Sequence, residues 1–126
     1  MGLDQYLLLK EPNKTYKSSL GIMNGYFPLA LKSDKKQIGY WRKAYSVSDF
    51  ILDLIGIEED HNCVDLPITK DQVKKIIKYA EWVLNTEYAQ DDYEERDWQM
   101  TLEIFNEALA ILEKNPEAEL FYKEWF

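Results

Sequence analysis

Glu119-Leu120-Phe121-Tyr122-Lys123-Glu124-Trp125-Phe126 gathers Leu120, Phe121, Tyr122, Trp125 and Phe126 into eight positions, the composition of a β-strand and not of a loose tail. The opposite end, Met1 to Lys10, alternates loosely. Leu3, Leu7 and Leu9 fall on one side and Asp4, Tyr6 and Leu8 on the other, as in a central strand covered on both faces. Two terminal strands with helical patterns between them imply an α+β fold. The expectation is a small sheet including both terminal strands, packed against three helices at about 40–55, 71–85 and 92–114. Pairing the ends ties down segments that otherwise fray.

Working inward, Glu11 to Lys17 carries Pro12 and Asn13 and reads as loop. Leu20 to Leu31 is apolar on both sides of Asn24-Gly25, a dipeptide suited to a tight hairpin turn, and Pro28 confines the second arm to an edge or an irregular path. Ser33 to Gln37 reads as a polar turn. A first helix follows, with Trp41, Ala44, Ser48, Ile51 and Ile55 at helical spacing and Gly56 where a C-terminal cap belongs. Asp53 near that end, without a basic neighbour, runs against the helix dipole. Ile57 to Asn62 is an acidic loop, and Cys63 to Ile68 a short extended piece interrupted by Pro67. Thr69 and Gln72 form a capping box. It opens a second helix with the stripe Val73, Ile76, Ile77, Ala80, Val83 and Leu84. The third helix begins near Asp91 or Asp92, with Glu94 and Glu95 in its first turn. Its apolar face runs through Trp98, Thr101, Leu102, Phe105, Ala108, Leu109 and Leu112 until Asn115-Pro116 stops it.

At 126 residues the chain fits a single globular domain, 1–126, able to bury a core without staples. No stretch approaches the ~18 apolar residues of a membrane span, and Met1 to Lys10 lacks the features of a signal peptide. Cys63 is the sole cysteine, which excludes an internal disulfide. A cytoplasmic setting is expected.

Charge is divided sharply along the chain. Met1 to Leu84 holds 12 Lys or Arg against 11 Asp or Glu, whereas Asn85 to Phe126 holds 3 against 12, leaving the whole at −8. Direct nucleic-acid binding needs a surplus of cations and is not expected. The acidic third either keeps the protein soluble or steers a partner, including one that normally holds nucleic acid.

Gly39-Tyr40-Trp41-Arg42-Lys43-Ala44 is the densest cluster of rings and cations. Read as the first turn of a helix, it offers an anionic-ligand site at Tyr40, Arg42 and Lys43, where free amides favour negative charge. The structural alternative puts Trp41 in the core and pairs Arg42 with an acid such as Asp4. This segment, the opening Met1-Gly2-Leu3-Asp4 with Tyr6-Leu7, and the aromatic end around Tyr122 and Trp125 resemble a group of small phage and prophage proteins of uncharacterised function. The resemblance implies a phage-type context, with host cytoplasm as the setting, and brings no catalytic residue with it.

His61 and Cys63, flanked by Asp60 and Asp65, are four potential ligands in one short stretch. Structural zinc sites combine paired clusters separated in sequence, so no metal is expected. Gly21 and Gly25 belong to neither a phosphate loop nor a dinucleotide fingerprint, and Ser46 and Ser48 form no serine elbow. No catalytic residue and no cofactor are assigned. Lys70, Lys74, Lys75 and Lys78 make a basic strip on the second helix, which either offsets the acid of the third or meets an acidic face of another copy in a homodimer. The leading expectation is a non-enzymatic protein that binds a host or partner protein through the third helix, as an inhibitor or nucleic-acid mimic. Asp91, Asp92, Glu94, Glu95 and Asp97 would steer, and Tyr88 and Tyr93 would anchor. The alternative is an anionic metabolite or nucleotide held near Tyr40, Arg42 and Lys43.

Overall fold

The two terminal segments expected to be strands build the centre of the molecule. In a computed structural model describing residues 2–18, 31–57, 61–86 and 91–126, the first strand, β1 (Asp4–Lys10), lies between the last strand and one formed in mid-chain. A short ribbon of β2 (Tyr16–Ser18) and β3 (Leu31–Ser33) follows β1 in sequence. Then come β4 (Lys35–Arg42), α1 (Tyr45–Ile55), β5 (Leu66–Ile68), α2 (Lys70–Asn85), α3 (Asp92–Lys114) and β6 (Glu119–Trp125). The main sheet has the order β4-β1-β6-β5, antiparallel throughout. Both terminal strands are therefore its two inner members, and the fold is α+β. The Asn24-Gly25 turn, the Pro28 arm and Tyr88 lie outside the described residues.

Period-two alternation sets the register. Leu7 stands opposite Tyr122 on β6 and Gly39 on β4, and Leu9 opposite Leu120, so one face carries the buried residues of three strands. Pro67, which cannot donate to a ladder, sits on edge strand β5, as its chemistry requires. The inward residues of the sheet and the buried stripes of all three helices make one hydrophobic cluster. Trp41 is fully buried within it. Its indole N–H donates to Thr101 Oγ1 at 2.8 Å, with Phe105 and Tyr122 rings 5.9 and 6.4 Å away.

The segment expected to start a helix at about residue 40 corrects the sequence reading. Tyr40, Trp41 and Arg42 end β4, Lys43 turns the chain with φ of 55°, and the helix starts only at Tyr45. The spacing of Trp41 with Ala44 and Ser48 misled. Trp41 points inward from a strand, Ala44 is the residue that caps the helix and Ser48 points inward from the helix itself, so the buried positions continue across a change of period. The supposed turn at Ser33 to Gln37 is likewise mostly strand, since β4 begins at Lys35. Its polar start suits an edge strand, which must discourage further pairing. The corner after Arg42 is held by β1 and the residue just before it. Lys43 N–H donates to Leu3 O at 2.7 Å, and the Gln5 side chain grips Ala44 by both its N–H and its carbonyl, at 2.9 and 3.2 Å. Gln5 thus serves the N-terminus of α1, which has no side-chain cap of its own.

The other helix ends follow their local chemistry. Gly56 closes α1 in the left-handed region, its N–H donating to Leu52 O at 2.9 Å. Thr69 and Gln72 bond reciprocally at 3.1 and 2.9 Å to cap α2. Asp91 Oδ1 accepts from Glu94 N–H at 2.8 Å to cap α3. At the far end of α3, Asn115 donates to Glu11 at 3.1 Å, and the same carboxylate accepts from Lys14 and the Tyr16 hydroxyl. The Tyr16 hydroxyl, lending its proton to Glu11, has its pKa raised to about 12.

At Gly39 α3 packs tightly on the sheet. A Cβ there would stand 2.7 Å from Ile104 Cγ2 and 3.2 Å from Leu7 Cβ. Gly39→Ala is expected to destabilise by about 1–3 kcal/mol through overpacking, read from the urea midpoint; an unchanged midpoint would show that Ile104 can yield.

Candidate functional site

Residues of three helices meet in an open groove of about 470 Å³. From α1 come Ser46, Asp49, Phe50 and Asp53, from α2 Tyr79, and from α3 Glu94 and Trp98. Its floor is aromatic. Phe50 and Tyr79 stack at 4.0 Å and 11°, and Trp98 meets both edge-on at 6.0 and 5.2 Å. Trp82 extends this surface, 5.6 Å from Tyr79 and 47% exposed.

The rim is acidic in a way that helix physics does not favour. Asp49 and Asp53 are four residues apart on α1, where like charges repel by about 0.2–0.5 kcal/mol. Asp53 also lies in the last turn, which has no basic residue, against the negative end of the dipole. On α3 the balance is different. Asp92, Glu94 and Glu95 occupy the first turn, where the helix dipole welcomes them. Among the described residues, no ion pair joins Asp91, Asp92, Glu95 or Asp97 to a lysine of α2, although Lys70, Lys74, Lys75 and Lys78 are all exposed.

The steering residues predicted from sequence are brought together here. Asp91, Asp92 and Glu95 are exposed, Glu94 enters the groove, and Tyr93 stands 70% exposed with the Arg96 guanidinium 5.3 Å from its ring centroid. Asp97 is half-buried. Desolvation raises its pKa, with Asp91 and Glu94 adding to the rise and Arg96 opposing it. The folded state therefore holds this proton more tightly than the unfolded chain. Stability falls as pH rises from the unfolded carboxyl value, about 4, through the raised folded one, and the penalty persists above both. Asp97→Asn should melt higher than the parent at pH 7, the gap closing below about pH 4; a gap that widens in acid would reverse the sign.

The alternative site is placed differently. Tyr40 and Arg42 project from β4 on the face opposite Trp41. The Tyr40 hydroxyl donates to Asp4 Oδ1 at 2.6 Å, and its ring lies 5.4 Å from Tyr6. Asp4 faces Arg42 across the strand pair, yet its hydrogen bond is to Tyr40. Lys43 occupies the left-handed corner. No helix start lies at these three residues, so the free amides that argued for an anion are elsewhere.

Sequence reasoning missed a second polar assembly, inside the core. Glu124, 2% exposed, accepts hydrogen bonds from the Ser48 and Tyr122 hydroxyls, and His61 Nε2 lies 2.7 Å from its Oε1. Gln5 Nε2 donates to the Tyr122 oxygen at 2.9 Å, linking this carboxylate to the Ala44 corner. Burial and the Glu124 charge together push the Tyr122 hydroxyl pKa upward. The backbone of Glu124 also engages the 61–63 segment, accepting from Cys63 N–H at 2.8 Å. Every polar group here has a partner, as a buried network requires. It joins β1, α1, β6 and the loop before β5. Strand parity could have revealed it, since Gln5 falls between Leu3 and Leu7, and Glu124 two residues beyond Tyr122.

His61 is thus directed at Glu124, while Cys63 is exposed with its Sγ 3.7 Å from Asn62 Oδ1. Among the described residues no three His, Cys, Asp or Glu side chains are arranged to hold a metal ion, and no helix is long and apolar enough to cross a membrane. Set beside known protein families, curated proteins and solved structures, the chain matches none. Its site must be read from its own residues.

Proposed function

We propose that this protein works without a cofactor or a chemical step, by docking a basic partner protein on the acidic surface formed by the first turn of α3 and the adjoining face of α1. The observation that carries this reading is the groove itself. Asp49, Asp53 and Glu94, contributed by two helices, surround an aromatic floor, with Asp91, Asp92 and Glu95 exposed beside it. Aromatic anchors supply interface energy while surrounding charges steer encounter and exclude wrong partners. A phage-type setting, implied by the resemblance at the chain's two ends and around residues 39–44, makes a host protein the partner. An acidic surface of this kind suits a protein that otherwise holds nucleic acid, and occupying that protein would inhibit it.

The test compares the parent with Asp92→Asn/Glu94→Gln/Glu95→Gln as immobilised baits in bacterial lysate over a salt series. Proteins held by the parent, released as salt rises and lost from the triple variant are expected, because exposed charges are screened within about 10 Å at 0.1 M salt. Association of a recovered protein should be slower with the variant. Equal retention and equal rates would reject the reading. Competition by duplex DNA for the recovered protein then tests mimicry.

A further inference from the structure

Independently of that reading, we propose that the outer face of the main sheet, turned away from the three helices, holds a single strand of nucleic acid. Its bases would lie on Tyr6, Tyr40 and Trp125, and its phosphates would meet Arg42, Lys43 and Lys123. Strand parity builds this face. The buried residues of β1, β4 and β6 join the helices in one core, so the alternate residues point to the other side. In register they form two neighbouring rows, Arg42, Asp4 and Trp125, then Tyr40, Tyr6 and Lys123.

Three rings and two cations thus share six adjacent positions. Trp125 is 55% exposed and Tyr40 41%, and the Tyr6 and Tyr40 rings are tilted at 49° and not stacked face to face. The hydroxyl bond to Asp4 holds the Tyr40 ring in place. A platform fixed beforehand loses little freedom when a base settles on it. The rings are spread over β4, β1 and β6, two strand spacings or roughly 10 Å, which gives room for more than one base.

Charge selects the same occupant. Among the described residues Arg42, Lys43 and Lys123 enter no ion pair, and Asp4, the acid in the two rows, accepts the Tyr40 hydroxyl. Lys43 reaches back over Gly2, where an added Cβ would stand 3.0 Å from its Cε. The acidic first turn of α3 belongs to the helical layer on the other side of the sheet, and exposed charges are screened within about 10 Å at 0.1 M salt.

Aromatic side chains stack bases of any sequence while cations follow the backbone, and an antiparallel sheet with one open face is a ready platform for both. A duplex withholds its base faces, and a chain of net charge −8 gains little from phosphates alone. An acidic peptide would satisfy the cations and leave the rings wet. A second copy laid face to face would set like cations against one another.

The test titrates the full chain into a fluorescein-labelled oligothymidylate of about ten nucleotides, followed by anisotropy. Saturable binding is expected, with a duplex of the same length and an abasic strand each roughly tenfold weaker. Tyr40→Ala and Trp125→Ala should each weaken the oligothymidylate by about tenfold, with far-UV circular dichroism unchanged because both side chains are exposed. Arg42→Gln should reduce the slope of log affinity against log salt by about 0.7. Asp92→Asn/Glu95→Gln should leave oligonucleotide binding unchanged while slowing association of the protein partner recovered from lysate.

No saturable binding, or equal binding of the abasic strand, overturns the proposal. So does displacement of the strand by polyglutamate as readily as by unlabelled oligothymidylate, which would make this a site for any acidic chain. A dimer in sedimentation that Trp125→Ala abolishes would seat a second copy here and overturn it too. Each of these failures leaves the acidic surface of α3 standing, since that surface is read on a different ligand, and the absence of salt-sensitive protein partners leaves the sheet face standing.

Discussion

Glu124→Ala is expected to lose about 3–5 kcal/mol of stability, the range seen when one member of a buried charged assembly is removed. The loss is not only the missing bonds. With the carboxylate gone, the Ser48 and Tyr122 hydroxyls face a cavity in place of their common acceptor, and each buried unsatisfied group costs about 1–3 kcal/mol. Tyr122 cannot turn elsewhere without cost, because its oxygen already receives the Gln5 amide. Urea unfolding followed by far-UV circular dichroism measures the effect, with Glu124→Gln as the shape-conserving comparison. If the network specifies the strand–helix corner, Glu124→Leu combined with Tyr122→Phe will cost less than the two single changes added together. A loss under about 1 kcal/mol for Glu124→Ala would mean that water replaces the carboxylate at little cost.

Trp41→Ala should be comparably damaging, at about 3–5 kcal/mol, since a fully buried indole leaves a void that its neighbours close only in part. Folded domains commonly hold about 5–15 kcal/mol in all, so this change removes a large share. The void would open between β4 and α3, where Phe105, Tyr122 and Thr101 surround the ring. Thr101 keeps its bond to Asp97 O at 2.6 Å, so the loss is mainly one of packing. Trp41→Phe, which restores most of the ring volume, should recover more than half of the urea midpoint. An alanine variant as stable as the parent would place the indole outside the essential core.

Most of the architecture was legible where one period holds along a whole element. Val73, Ile76, Ala80 and Val83 are the buried stripe of α2, and Trp98, Thr101, Phe105, Ala108 and Leu112 that of α3. Thr69 with Gln72 and Asp91 with Glu94 cap these helices as their side-chain chemistry dictates. Legibility failed at Tyr40 to Ala44, where a strand passes into a helix. There the deciding contacts are Gln5 of β1 and Leu3 just before it, which local spacing does not encode.

The candidate site divides in the same way. Asp91, Asp92, Glu94 and Glu95 declared themselves by crowding at one helix start. Asp49, Phe50, Asp53 and Tyr79 did not, because only tertiary folding sets α1 and α2 beside α3. Glu124 was hidden by composition: amid Phe121, Tyr122 and Trp125 it resembles the solvent-facing residue of an alternating strand, although its parity matches Leu120 and Tyr122.

The position of β1 between β4 and β6 has a consequence for synthesis. During translation β1 can pair with β4 early, but its other side stays an open edge until residues 119–125 leave the ribosome, a wait that lasts while everything between Lys10 and Glu119 is made. Contacts this distant close slowly. The nascent chain therefore carries Leu7 and Leu9 beside an uncovered row of amides and carbonyls, a stage at which a chaperone that shields strand edges would matter more than at any point after release.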